Sequence, residues 1–181
     1  MILVVCTANR CRSPLAAAIL RGRLAARGVT ARVESVGLLE PGYRATDATV
    51  EAAAALGIDL GDHVSRRLDV AQIQEADLIV GMERGHVREV VVFERGAWAR
   101  TFTLKELVRR ATDIGPRTDD EPLRDWLERV HEGRRSVELL GASTDDDVAD
   151  PAESMLGDHD TTARELADLV DRLVELAWPR A

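Results

Sequence analysis

The chain of 181 residues has only two cysteines, Cys6 and Cys11, close together near its start. A bridge between them would close a loop too small to constrain the unfolded chain much. With four scattered histidines beside them, no tetrahedral ligand set exists at the usual spacings. Disulfide scaffolds and structural zinc modules are therefore excluded, and no metal or other cofactor is expected. No apolar stretch approaches the roughly 18–20 residues of a membrane span. The run Met1 to Val5 is too short for the hydrophobic region of a signal peptide, and no basic segment precedes it. The expectation is a reducing, cytoplasmic setting without a membrane partner. Positive charge is also short: the formal net charge is -8, which argues against nucleic acid as a partner. Internal repeats and low-complexity segments are absent. What is present, 45% hydrophobic and 31% charged residues, suits one globular domain over 1–181, large enough to bury a core without staples.

Ile2 to Val5 reads as a short strand buried on both faces, and Thr30 to Val36, Asp77 to Met82 and Arg100 to Thr103 read as three more. Helical stretches lie between them. The alanine-rich segment Pro14 to Arg27 ends at Gly28, and Thr49 to Leu56 ends at Gly57. Further helices are expected over Asp69–Glu75, Arg84–Val91, Leu104–Ala111 and Asp119–His131. A last one, Thr161 to Trp178, carries Leu166, Leu169, Val170, Leu173, Val174 and Ala177 at core-facing spacing. Alternating strands and helices predict an α/β fold with three layers, a central parallel four-stranded sheet between helices. Ser13 before Pro14 has the pattern of an N-cap and first-turn pair. The acidic runs 118–121 and 144–147 have the character of solvated surface.

Chemistry concentrates between the first strand and the first helix. In an open α/β sheet, ligands bind beyond the carboxyl ends of the strands, at helix N-termini. Backbone N–H groups in such a turn converge into an anion-binding nest, and the helix dipole adds to it. The turn Cys6 to Arg12 contains no glycine and no Gly-Lys-Ser/Thr sequence, so it is not a nucleotide-binding loop. It begins with a thiol instead. A thiol facing a helix N-terminus and an arginine is favoured as the thiolate, and a guanidinium grips two phosphate oxygens at once. Together they can attack a phosphate and stabilise the charge on its equatorial oxygens.

The stretch Val5-Cys6-Thr7-Ala8-Asn9-Arg10-Cys11-Arg12-Ser13-Pro14 resembles the Cys-x5-Arg-Ser/Thr phosphate loop of the low-molecular-weight protein tyrosine phosphatases. Ser35-Val36-Gly37 resembles the family's Ser-Ala-Gly. Gly57-Ile58-Asp59 with His63 and Ser65-Arg66 resembles its Gly-Ile-x…His-x-Ser/Ala-Arg. Ala76 to Met82 resembles its Asp-x-Ile-x-x-Met strand, and Asp147 to Pro151 its Asp-Pro loop. The resemblance spans nearly the whole chain, except about 105–141, where this sequence is longer and a helical insertion is expected.

This resemblance implies a phosphatase acting on phosphorylated protein or a small phosphoester. Cys6 would attack phosphorus and become a phosphocysteine, while Arg12 and the amides from Thr7 through Ala8, Asn9, Arg10 and Cys11 hold the oxygens. Asp150 would protonate the leaving oxygen and then activate water. The residues alone do not choose Asp150 from Asp145, Asp146, Asp147, Asp158 or Asp160; the adjacent Pro151 favours it. Ser13 would both cap the helix and donate to the thiolate as a leaving group, or cap the helix only. Asn9 would take a strained conformation braced by Ser35 and His63, while His86, His131 and His159 read as structural. Cys11 would pair reversibly with Cys6 or be a small packed thiol.

Departures from the family bear on substrate. Ala8 replaces a glycine. Arg10 stands where the tyrosine phosphatases are apolar and related arginine phosphatases have threonine; at the mouth it would favour an acidic substrate. Ala152 follows the Asp-Pro pair where eukaryotic members carry ring-walling tyrosines, leaving Tyr43 and Leu38–Leu39 as a partial wall. Phosphotyrosine is the expected substrate, with phosphoarginine the alternative. An arsenate reductase of the same fold would need further cysteines downstream, and a silent phosphate-binding module would not need Cys6, Arg12 and Asp150 together. The oligomeric state is not readable from the sequence.

Overall fold

Four parallel strands form the sheet that the alternation predicts, in the order β2-β1-β3-β4. They are β1 (Ile2–Cys6), β2 (Val33–Gly37), β3 (Leu78–Gly81) and β4 (Thr101–Thr103). Among the described residues seven α-helices surround them: α1 (Arg12–Ala26), α2 (Asp47–Ala55), α3 (Val70–Glu75), α4 (Arg84–Phe93), α5 (Leu104–Ile114), α6 (Leu123–His131) and α7 (His159–Ala177). This computed structural model describes residues 1–140, 144–151 and 158–180.

β1 is central, and every one of its residues is buried. Successive side chains of a strand point to opposite faces. Ile2, Val4 and Cys6 join a large apolar cluster with Leu20 and Leu24 of α1, Leu107 of α5, Trp126 of α6 and Leu166 and Leu173 of α7. Leu3 and Val5 join a smaller cluster with Ile73 of α3 and Val90 of α4. The sheet is thus covered on both sides, as a parallel sheet requires. α7 packs along α1 and α5, and Lys105 Nζ meets Glu165 Oε1 at 2.6 Å. Within 105–141, Trp126, Leu127 and Val130 are fully inside the main cluster, so this helical pair is part of the core and not a solvated appendage.

Three local expectations are corrected. α1 begins at Arg12, with Cys11 in the cap position and no side-chain cap. Ser13 therefore lies inside the first turn, and its hydroxyl is used elsewhere. The sixth helix begins at Leu123 and not at Asp119. Pro122 is extended, at φ -58° and ψ 143°, and a proline disfavours helix in the residue before it. Thr118 to Glu121 closes a turn instead, with Glu121 N–H on Thr118 O at 3.1 Å. The acidic run 144–147 is not wholly solvated surface either. Asp146 is 8% exposed and pairs with Arg84 at 3.3 Å and Arg109 at 3.1 Å.

Candidate active site

The loop between β1 and α1 turns on Asn9, at φ +53° the one non-glycine residue with positive φ among the described residues. That conformation costs an ordinary residue about 1–2 kcal/mol, and asparagine tolerates it better than most. Its buried side chain is held at both ends: Nδ2 donates to Ser13 Oγ at 2.9 Å, and Oδ1 accepts from Arg66 N–H at 2.9 Å. His63 Nε2 donates to the Asn9 carbonyl at 2.7 Å. Burial holds His63 below its ordinary range, against the opposing effect of that hydrogen bond. Ser35 meets this network only through its carbonyl, which accepts from Arg66 Nη2 at 3.3 Å. Of the two expected braces, His63 contacts Asn9 and the Ser35 hydroxyl does not.

β2 passes close behind the loop. A Cβ on Gly37 would lie 2.8 Å from Ala8 C and Asn9 N and 2.9 Å from Thr7 O, all backbone atoms that cannot step aside. Thr7 O accepts from the N–H groups of Leu38 and Leu39 at 2.7 and 3.1 Å. Only glycine at 37 lets strand and loop approach so closely.

Cys6 closes β1 with its sulfur accepting two hydrogen bonds, from Asn9 N–H at 3.3 Å and Ser13 Oγ at 3.0 Å. Ser13 Oγ also reaches Val36 O at 3.3 Å, so its single proton is shared between sulfur and carbonyl. Cys11 sits in a different setting. Burial raises its thiol to about 11, with a hydrogen bond to Thr49 opposing, so it stays protonated at neutral pH. Both cysteines are free.

Arg12 is 1% exposed and organises the other end. Nη1 donates to Glu83 Oε1 and to Val148 O, the latter at 2.8 Å. Nη2 donates to Asp150 Oδ2 at 2.5 Å and to Thr7 Oγ1 at 3.4 Å. Burial works against the Arg12 charge and is outweighed by Glu83, Asp150 and Cys6. Asp150 arrives there because its loop is fixed to α4, α5 and the end of β3. Asp146 holds Arg84 and Arg109, Asp147 Oδ1 accepts Arg84 N–H at 2.8 Å, and buried Val148 donates its N–H to Met82 O at 2.8 Å. Ala152 lies outside the described residues.

Glu83 and His86 contact the site, yet the sequence reading used neither. The signal was available for Glu83, which follows the carboxyl end of β3 where such sheets place ligand-facing groups. His86 Nε2 lies 3.0 Å from Thr7 Oγ1. At the mouth, Arg10 Nε donates to Arg44 O at 2.9 Å, and its guanidinium sits 5.5 Å from the centre of the Tyr43 ring. Ala8, Arg10, Leu39, Glu40 and Tyr43 line a cleft of about 330 Å³. Leu38 packs against the smaller core cluster, so Leu39 alone joins Tyr43. Among the described residues, no three His, Cys, Asp or Glu side chains are grouped to hold a metal, and no helix is long and apolar enough to cross a membrane.

A family model described as low molecular weight phosphotyrosine protein phosphatase matches residues 1–138. The chain is 34% identical over 132 residues to a Ralstonia solanacearum protein named "Probable low molecular weight protein-tyrosine-phosphatase EpsP", covering 73% of this chain and 89% of that one. It is 30% identical over 177 residues to a protein-arginine-phosphatase of Geobacillus stearothermophilus, covering 96% and 93%. Among solved structures, a low molecular weight protein tyrosine phosphatase from T. tengcongensis superposes with a TM-score of 0.71 at 29% identity, over 96% of this chain and 97% of the other. The YwlE arginine phosphatase, as a mutant with a phosphorylated active site serine, gives a TM-score of 0.70 at 27% identity, over 96% and 93%.

Proposed function

The chain belongs to the low molecular weight phosphotyrosine protein phosphatase family and is a phosphatase; from that premise we propose that Cys6, Arg12 and Asp150 carry the reaction and that the substrate is phosphotyrosine in protein. The observation that carries the assignment is the reach of one guanidinium. Arg12 touches Thr7, next to the nucleophile, and Asp150, which is 138 residues away.

The Cys6 thiolate attacks phosphorus as the phosphorus–oxygen bond breaks, and Asp150 gives its proton to the departing oxygen. The loop N–H groups and Arg12 stabilise the charge on the three equatorial oxygens. Asp150, now a carboxylate, takes a proton from water, the hydroxide oxygen bonds phosphorus, and the phosphorus–sulfur bond breaks. Ser13 and the Asn9 N–H receive the returning thiolate. Glu83 holds Arg12 Nη1, leaving the guanidinium no freedom to turn away.

Substrate choice rests on the mouth. Leu39 and Tyr43 offer an apolar side to an aromatic ring, and Arg10 keeps a positive charge beside it. A phosphoarginine would bring a second cation to the same place, so Arg10 favours phosphotyrosine with acidic neighbours. The reading as an arginine phosphatase is kept by the relative aligned over 96% of the chain.

Hydrolysis of an aryl phosphate by wild type, Cys6→Ser and Asp150→Ala tests the chemistry. Expected is loss of about 10³-fold or more for Cys6→Ser and about 10²- to 10³-fold for Asp150→Ala; unchanged turnover in either removes that residue's role. Phosphotyrosyl and phosphoarginyl peptides then decide the substrate, with a preference of about 10-fold or more for phosphotyrosine in kcat/KM expected. Arg10→Thr should narrow it, and a wild-type preference for phosphoarginine would overturn the substrate assignment alone.

A further inference from the structure

The hydroxyl of Thr7 is met by two donors. His86 is 2% exposed at the start of α4, and its Nδ1 accepts from Glu83 N–H at 3.0 Å. A ring nitrogen that accepts carries no proton, so the imidazole is neutral with its hydrogen on Nε2. Burial, then the charge of Arg12, push this histidine down to about 3, in agreement with that geometry. Nε2–H consequently donates to Thr7 Oγ1 at 3.0 Å. The close approach is built into the sheet: a Cβ on Gly81, the last residue of β3, would lie 3.1 Å from His86 Cβ and 3.3 Å from Val87 Cγ2. The second donor is Arg12 Nη2, at 3.4 Å.

A hydroxyl oxygen has two lone pairs and one proton. With both lone pairs directed at His86 and Arg12, the proton of Thr7 leaves on the remaining side. Thr7 is the first residue after Cys6, and its oxygen shares Nη2 of Arg12 with Asp150. We infer that the Thr7 hydroxyl donates a hydrogen bond, keeping its proton, to an oxygen of the transferring phosphoryl group, as a catalytic donor additional to the loop amides, and that His86 is the positioning residue that aims it. His86 moves no proton in this arrangement; its ring, neutral at neutral pH, holds the threonine in one rotamer. This inference rests on Cys6 being the nucleophile.

Steady-state and burst kinetics on an aryl phosphate, in the full chain, test it with Thr7→Val, Thr7→Ser, His86→Leu, His86→Gln and the double variant Thr7→Val/His86→Leu. Thr7→Val is isosteric and should lower kcat about 10- to 100-fold, with KM held within about twofold. Thr7→Ser should restore most of the rate. His86→Leu should match Thr7→Val and cost nothing more in the double variant, whereas His86→Gln, which keeps a donor near Nε2, should recover activity. A Thr7→Val enzyme within about twofold of wild type would overturn the inference. So would a Thr7→Ser enzyme no better than Thr7→Val, or a His86→Leu cost that persists in full without the Thr7 hydroxyl. If His86→Leu does not fold, as thermal unfolding would show, the Val and Ser variants at 7 decide alone. Cys6→Ser run beside them separates the two readings: turnover surviving in it overturns the nucleophile, while its loss with an unaffected Thr7→Val overturns only the donor.

Discussion

The end of this site around Cys6, the proposed nucleophile, and the end around Asp150, the proposed acid, meet at one arginine but are assembled over very different stretches of chain. Around Cys6, the hydrogen bonds from Asn9 and Ser13 to sulfur and between Asn9 and Ser13 span 3, 7 and 4 residues. Around Asp150, those from Arg84 to Asp146 and Asp147 and from Arg12 to Val148 O and Asp150 span 62, 63, 136 and 138. The contacts to sulfur at the first end lie within one strand-turn-helix unit, which Arg66, His63 and Gly37 brace from outside. The second exists only when α4, α5 and the acidic loop have docked, and part of its support is ionic. Arg109 is about half exposed where it meets Asp146, so salt screens that contact more than anything around buried Cys6.

Changes at the two ends should therefore differ in kind, and the largest effect belongs to the nucleophile end. Gly37→Ala pushes a methyl group into Ala8 and Asn9, which can yield only by moving the loop. A displacement near 1 Å is enough to cost about 10²-fold in kcat/KM, for aryl phosphates with good and poor leaving groups alike. Activity within a few-fold of wild type would show the loop to be softer than its hydrogen bonds suggest.

At the acid end the expected effect is smaller and selective. Asp146→Asn weakens the pairs with Arg84 and Arg109 and should lower kcat about 3- to 10-fold, mainly for poor leaving groups, which need the proton most. It should also cost about 1–3 kcal/mol in denaturant unfolding. No further kinetic loss is expected in an Asp150→Ala background. An undiminished loss there would mean that Asp146 does not act by placing Asp150.

The last effect leaves the rate at neutral pH untouched and concerns stability across pH at the join between the ends. His86 lies at about 3 in the folded chain against an ordinary 6.5. Between those values the unfolded chain binds a proton that the folded chain refuses. The stability His86 contributes is thus complete above pH 6.5 and lost as pH falls towards 3, at up to about 1.4 kcal/mol per pH unit. Unfolding of wild type and His86→Gln at several pH values isolates this from the carboxylates. An identical slope in the two would mean that His86 is readily protonated.

How much could be read from residues follows the same division. Four strands and the helices between them were visible in short apolar runs and in the 3.6-residue spacing of Leu166 to Val174, because each element responds to its own local pattern. Pro122 marks a limit of local pattern: the polar run before it has helical composition, yet the proline sets the helix start after it. Ser13 divides. Its place before Pro14 fits a helix cap that does not form, because the helix opens one residue earlier, while the expected donation to the Cys6 sulfur is present at 3.0 Å. The run 144–147 has a solvated composition, yet Asp146 is buried because two arginines from α4 and α5 converge on it.

The sequence by itself determined the nucleophile end: a buried strand, a thiol at its close, an asparagine able to take positive φ, and an arginine opening the helix. Those residues are neighbours along the chain, and their geometry follows from backbone conformations that few other residues adopt. Only the tertiary structure decided which aspartate meets Arg12, that Glu83 holds the same guanidinium, and that a buried neutral histidine stands against Thr7. Each of these contacts joins residues 71 or more apart. Nothing in local propensity encodes them, because they depend on strand order and on how the helices pack over the sheet.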